Sequence, residues 1–345
     1  MEREKLKTAI VGLGAAGMEV LSIANDSEYL DVCAVADSDG ELAEKTARTY
    51  DCSGYYDYRQ LIIQNRLDAV IISEPMHLSV ELIRLAIDKK CHVIKLPPAG
   101  QDFEQVLEFS RHSKKHGVKY VTANANCFSD GFKRLKEFVE FEGAEKFHLI
   151  SGVCNVPGNT DEPQNRWLTD PGLAGGGVVL HSCYQLIDQI IQNFDMPEKV
   201  YSLSVNNAPD KQQRILTTED GAVITMQFHD TQMANITTSR TFGPYEQFLR
   251  LHMKDRFATA TTNRFTVSKN DGEIISDSVY KTGAVKWFGD LFDDFALSIL
   301  DPNKYGSVLN PKFDLLTMAV IQSAYISAKT SMPEEPSRIL EIAGI

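Results

Sequence analysis

At 345 residues the chain exceeds what one hydrophobic core usually fills, so two domains are expected. Hydrophobic residues at 43% and charged residues at 24% match an ordinary globular protein and exclude a disordered chain. The net charge of −12 excludes the Lys/Arg field needed to hold a phosphate backbone, so no nucleic-acid partner is expected.

The opening MEREKLKTAIVGLG passes from charged residues straight into a strand, without the apolar core of a signal peptide. No apolar run reaches the roughly 20 residues that span a bilayer, so no membrane partner is expected. Six cysteines, at positions 33, 52, 91, 127, 154 and 183, form no C-x-x-C pair. They read as reduced thiols rather than a disulfide framework or a zinc site, no metal is assigned, and a cytoplasmic location is expected.

Up to about residue 122, short apolar runs alternate with amphipathic ones, as βαβ units require. Strands are predicted at Thr8–Val11, Asp31–Ala36, Asp68–Ile72, His92–Leu96 and Lys119–Thr122. Helices are predicted at Leu78–Asp88 and at Phe103–His116, the latter closed by Gly117. Beyond Ala123 the pattern changes to a helix around Gly131–Phe141, a polar loop from Val156 to Gly172, a longer helix, and strand-like segments from Val200 to about Val267. The Phe-rich run Trp287–Phe295 has helical spacing and reads as a packing face. A last helix, Pro311–Lys329, starts at an Asn310 cap with Pro311 in its first turn.

The predicted fold class is α/β, with an N-terminal doubly wound Rossmann domain over 1–123. An α+β domain over 124–345 follows, built on a large, mostly antiparallel mixed sheet. The helix at about 311–329 is a candidate to pack back on the first domain.

Strand Thr8–Val11 leads directly into Gly12-Leu13-Gly14-Ala15-Ala16-Gly17 and then a helix. In such a G-x-G-x-x-G turn the first glycine permits the tight bend, the second lets the backbone approach a pyrophosphate, and the third permits close helix–sheet packing. The helix N-terminus adds N–H donors and positive dipole. Asp37 ends the second strand, 20 residues past Gly17. A carboxylate there accepts from ribose hydroxyls and repels a 2′-phosphate, so NAD is expected over NADP, although Arg or Lys elsewhere could still accommodate the phosphate.

These motifs, together with Glu74-Pro75, His92-Val93, Asn165-Arg166-Trp167, Asp170-Pro171, Gly175-Gly176-Gly177 and Asp188, resemble the glucose-fructose oxidoreductase and inositol dehydrogenase family (Gfo/Idh/MocA) over nearly the whole chain. The resemblance implies a Rossmann domain followed by a mixed-sheet substrate domain, and oxidation or reduction of sugars, cyclitols or their derivatives with NAD(P). The expected cofactor contacts are Gly12, Leu13, Gly14, Ala15, Ala16, Gly17, Asp37, Ser38, Glu74, Pro75 and Pro97.

The chain departs from the family in three places. Where it usually has Glu-Lys-Pro, this chain has Leu96-Pro97-Pro98, so the usual lysine is absent. Lys95, two residues before Pro97, either substitutes for it or ends its strand in solvent. Where the family usually has an Asp and, four residues on, a His, this chain has His181 and Gln185. Glu74 replaces a small hydroxyl residue.

Helical spacing places His181, Tyr184, Gln185 and Asp188 on one face, opposite Cys183, Leu186, Ile187 and Ile190. His181 is the candidate acid/base, because an imidazole titrates near neutrality; Lys95 and Tyr184 are its candidate helpers. Asn124, Arg166, Trp167 and Gln185 are candidate substrate contacts. His77 and His92 read as structural. The leading expectation is an NAD-dependent oxidoreductase exchanging hydride with a secondary alcohol or ketone of a sugar or cyclitol. The alternative is an NAD-binding sensor or regulatory protein of the same fold that has lost the chemistry. A wide sheet with an apolar face also predicts a homodimer or homotetramer.

Overall fold

The computed structural model describes residues 5–157, 163–206, 217–229 and 231–345. The chain begins with β1 (Leu6–Val11), α1 (Ala15–Asn25), β2 (Leu30–Ala36), α2 (Gly40–Tyr50), β3 (Ser53–Tyr55), α3 (Tyr58–Gln64), β4 (Ala69–Ile72), α4 (Met76–Asp88), β5 (His92–Lys95), α5 (Phe103–His116) and β6 (Tyr120–Thr122). The six strands form one parallel sheet in the order β3-β2-β1-β4-β5-β6. Successive side chains along each strand enter two cores, because both faces are covered. Ile10, Val35, Ile71 and Ile94 pack with Val20 and Leu21 of α1. Val11, Val70, Ile72 and Val93 pack with Leu82, Ile83 and Ile87 of α4 and Phe109 of α5.

The chain continues through α6 (Asp130–Glu142), β7 (Leu149–Asn155), α7 (Pro171–Ala174), α8 (Val178–His181), α9 (Tyr184–Phe194), β8 (Lys199–Val205), β9 (Gly221–Phe228), β10 (Gln232–Ser239), β11 (Glu246–His252), β12 (Arg256–Ala260), β13 (Arg264–Lys269) and β14 (Ile274–Val279). This second sheet has the order β14-β13-β12-β11-β7-β10-β9-β8, with β7 and β10 parallel and the other neighbours antiparallel. Ile150, Cys154, Ile224, Met226, Ile236 and Leu251 are buried on its inner face. Close packing of α9 begins at Gly152, where a Cβ would lie 3.2 Å from Leu186 Cδ2. Part of the expected loop over 156–172 lies outside the described residues. The later described part holds a 3-10 turn at Pro163–Thr169 and α7, which Asp170 caps by accepting from Gly172 N at 2.9 Å.

Three helices finish the chain: α10 (Ala284–Leu300), α11 (Pro311–Thr330) and α12 (Pro336–Ala343). Packing divides the molecule into one unit of Met1–Gly100, Glu104–Phe128 and Ala284–Pro311 and another of Gln101–Phe103, Ser129–Gly283 and Lys312–Ile345. A single cut near residue 123 therefore misses α10. Its Leu291, Phe292 and Phe295 complete the α1 side of the first sheet's core. From Lys312 onward the helix at about 311–329 belongs to the second unit. Its polar residues are matched there: Asp314 accepts from Tyr184 Oη at 2.7 Å, and Ser327 Oγ accepts from Ser202 N at 3.1 Å. Among the described residues no helix is long and apolar enough to cross a membrane.

Phe295 is 1% exposed and comes from a helix distant in sequence. Phe295→Ala should therefore destabilise the first unit by about 3–5 kcal/mol, read as a lower urea midpoint.

Candidate active site

The nucleotide half is built around the turn between β1 and α1. Gly12 has φ +90°, and a Cβ there would lie 2.8 Å from Ser73 Oγ and 2.9 Å from Glu74 N. Ser73 Oγ donates to the Gly12 carbonyl at 2.7 Å, tying the turn to the end of β4. Gly17 meets the same carbonyl oxygen, 1.8 Å from where its Cβ would be, so α1 can approach β1 only without a side chain there. Gly14 is the opposite case. It caps α1 with no side-chain hydrogen bond, and nothing lies within 4 Å of its would-be Cβ. An open approach to a helix N-terminus is the surface a pyrophosphate requires.

Asp37 Oδ2 accepts from Leu13 N at 2.6 Å and Oδ1 from Asp39 N at 2.8 Å. Those bonds hold its carboxylate at the rim of a cavity of about 390 Å³, lined in part by Ser38, Tyr58, Arg59 and Glu74. An open phosphate approach, a carboxylate fixed at the rim and an adjoining cavity together fit an adenine dinucleotide. Ala15 and Ala16 are exposed in the first turn of α1, whereas Leu13 sends its side chain into the core. Pro75 starts α4, and Pro97 precedes Pro98 through a cis peptide bond.

The sequence reading missed Tyr56, Tyr58 and Arg59 as walls of this cavity. They follow β3, a three-residue strand too short to register as alternation. Asp57, which caps α3 by accepting from Arg59 N at 2.9 Å, was the available signal. The Arg59 guanidinium carbon lies 4.9 Å from the centre of the Tyr58 ring.

Lys95 does not reach solvent. It is 2% exposed, and its Nζ donates to the Leu96 carbonyl at 2.7 Å. Burial pushes the amine down to about 7, against the pull of the Glu74 carboxylate. Burial in turn raises Glu74, Asp37 adds to that, and Lys95 lowers it. His92 is structural: Nδ1 accepts from Lys119 N at 3.0 Å, and burial foremost pushes the ring down to about 4. Asn124 is buried, its side-chain oxygen accepting from Asn126 N at 3.1 Å.

In the second unit, the glycine triplet delivers the chain into α8. At Gly176 a Cβ would overlap Tyr325 Oη, and at Gly177 the Glu219 carbonyl oxygen, at 2.0 and 1.9 Å. Glu219 then caps the helix: Oε2 accepts from Gly177 N at 2.8 Å and Oε1 from Val179 N at 2.9 Å. Tyr325 Oη donates to Oε1 at 3.0 Å. Glu219 is 9% exposed and its carboxyl is raised, chiefly by burial.

His181 is the last residue of α8. Its Nε2 is 3.0 Å from the Ala174 carbonyl oxygen, and its ring stands edge-on to Trp167 with centroids 5.4 Å apart. A carbonyl only accepts, so Nε2 carries the proton and Nδ1 is the unprotonated nitrogen of the neutral ring. Arg166, in the same 3-10 turn as Trp167, is exposed.

The expected four-residue polar face does not form. The helix breaks after His181 and restarts at Tyr184. His181 and Gln185 are half-buried, but Tyr184 is fully buried against Asp314. Asp188 is 3% exposed, accepting from Gln192 Nε2 at 2.7 Å and Thr317 Oγ1 at 3.3 Å. Polar partners on α11 make these positions interior, which a period that equates polar with solvent cannot reveal. Tyr184 is therefore a packing residue.

Folded Lys95 releases its proton near pH 7, while the unfolded chain holds it to about 10.5. The unfolded state binds more protons between those values, so stability should rise with pH across that window. Lys95→Met should be more stable than the parent at pH 7 and below and lose that rise, as measured by denaturant unfolding.

Comparison with known proteins agrees with this geometry. Residues 6–124 match the family model described as an oxidoreductase family NAD-binding Rossmann fold, and 132–274 match the GFO/IDH/MocA C-terminal domain. The chain is 24% identical over 273 residues to the uncharacterized oxidoreductase YrbE of Bacillus subtilis, covering 76% of each protein. It is 23% identical over 292 residues to the myo-inositol 2-dehydrogenase of Thermotoga maritima, covering 81% of this chain and 78% of the relative. A levoglucosan dehydrogenase solved with NADH and levoglucosan superimposes with a TM-score of 0.86 at 16% identity, covering 96% of this chain and 99% of the other. The N-terminal unit is thus an NAD-binding Rossmann domain, and the chain belongs to the GFO/IDH/MocA oxidoreductase family.

Proposed function

We propose that this protein is an NAD-dependent dehydrogenase acting on a secondary alcohol or the matching ketone of a sugar, cyclitol or derivative. The observation that carries the reading is the intact dinucleotide cradle of the first unit; the second unit by itself holds His181, whose tautomer is fixed by the Ala174 carbonyl. Bound through Gly12–Gly17 and Asp37, NAD would supply a hydride acceptor at its nicotinamide. The chain's own groups must bind the substrate and move its hydroxyl proton.

His181 Nδ1 takes that proton in oxidation and returns it in reduction. Trp167 buttresses the imidazole and offers an apolar edge to a sugar ring, while Arg166 and Gln185 supply donors for hydroxyl groups. Lys95 stands in for the absent family lysine: an amine near pH 7 can hold or release a proton at working pH. Tyr184 is not carried into this mechanism.

The named activities of the Thermotoga maritima and levoglucosan relatives support the substrate class. Unpaired cysteines support a cytoplasmic location. Exposed Leu149, Tyr201, Leu203, Val205, Val223 and Met233 share the outer face of the second sheet and support a homodimer or homotetramer.

His181→Ala should lower turnover by about a hundredfold or more while leaving NAD affinity unchanged, followed by reduced-nicotinamide absorbance against sugars and cyclitols. Unchanged turnover would remove His181 from its role. Bound NAD that none of these compounds reduces would favour a non-catalytic sensor.

A further inference from the structure

Helices α4 and α5 lie side by side over one face of the parallel sheet, where Leu82, Ile83 and Ile87 share a core with Phe109. Their outward edges carry polar pairs at helical spacing. Arg84 donates from Nε to Glu108 Oε1 at 2.6 Å and from Nη2 to Glu108 Oε2 at 2.8 Å, a two-pronged pair that fixes the register of the two helices. One turn further along, that register brings Asp88 opposite His112, and a turn beyond His112 comes His116. His112 Nε2 is 2.8 Å from Asp88 Oδ1, and His116 Nε2 is 3.7 Å from the same oxygen. One ligand atom from each residue falls within 4.8 Å of the others, and the imidazole centroids are 4.5 Å apart.

The orientation of His116 is set from behind. Its Nδ1 is 3.0 Å from the His112 main-chain oxygen, which only accepts, so Nδ1 carries a proton and Nε2 is the nitrogen turned toward Asp88. A backbone-anchored histidine of this kind is the usual second support of a metal ligand.

We propose that Asp88, His112 and His116 form a surface site for a divalent cation of the zinc type. Ligand atoms at zinc bond lengths of about 2.0–2.1 Å in a tetrahedron are about 3.3 Å apart. The observed separations of 2.8 and 3.7 Å bracket that spacing. Two imidazoles and one carboxylate suit zinc, cobalt or nickel better than magnesium or calcium, and water completes the shell. Binding displaces the proton that His112 Nε2 shares with Asp88. The ion sits where α4 and α5 both end, so the negative ends of two helix dipoles add to its binding. It also lies at the edge where β5 and β6 begin, whereas the Gly12–Gly17 turn follows the end of β1. Its role is to brace the two helices, not to meet the cofactor.

The test uses the full chain stripped with chelator and titrated with cobalt(II), then zinc. The expected result is one cobalt per chain with visible ligand-field bands, displaced by zinc, and a zinc-dependent rise in Tm of about 2–4 °C. His112→Gln/His116→Gln and Asp88→Asn should each lose the bands and the rise while keeping the far-UV circular dichroism of the metal-free parent. Glu81→Gln should retain both. Equal binding by the double variant, a thiolate charge-transfer band that persists in it, or no cobalt bound by the parent at stoichiometric concentration would each overturn the assignment.

Discussion

The approach of α1 to β1 is set at Gly17, where a Cβ would lie 1.8 Å from the Gly12 carbonyl oxygen. That carbonyl also accepts from Ser73 Oγ, so one oxygen joins the first strand, the first helix and the end of β4. Everything that makes the N-terminal unit a nucleotide site follows from this contact. It aims the uncapped N-terminus of α1 outward at Gly14 and places Leu13 N where it holds the Asp37 carboxylate. Any side chain at Gly17 would push the helix away and dissolve the phosphate approach, whatever the rest of the sheet did.

A comparable constraint governs the second unit. Glu219 buries its carboxylate to cap α8, and Tyr325 closes over it, in space that Gly176 and Gly177 leave by having no side chains. A buried carboxylate held by two backbone N–H groups and a phenol is satisfied only in one arrangement, which makes the cap a rigid locator for the imidazole that follows. In the proposed mechanism the proton-moving groups are Lys95 and His181. They come from separate units, and each is fixed by a main-chain carbonyl.

Much of the nucleotide half was legible from the chain. The strand–turn–helix context and the spacing from Gly17 to Asp37 are local features, and buried parallel strands announce themselves as continuous apolar runs. The walls formed by Tyr58 and Arg59 were not legible, because β3 is too short to leave a period. In the second half, the antiparallel run after Val200 was readable, while the break between α8 and α9 was not. The partners of these helices, Glu219, Asp314 and Tyr325, lie far along the chain and carry no local pattern.

The sequence by itself determined the Rossmann turn, the carboxylate that ends β2 and the mixed sheet, since each is carried by local patterning or by a fixed spacing along the chain. Tertiary structure alone decided that α10 completes the first core, that Tyr184 and Asp188 meet Asp314 and Thr317 of α11, and that Lys95 is buried with a lowered proton affinity. The reason is physical: desolvation and hydrogen-bond satisfaction depend on what covers a residue, and the covering segment is chosen by the whole fold.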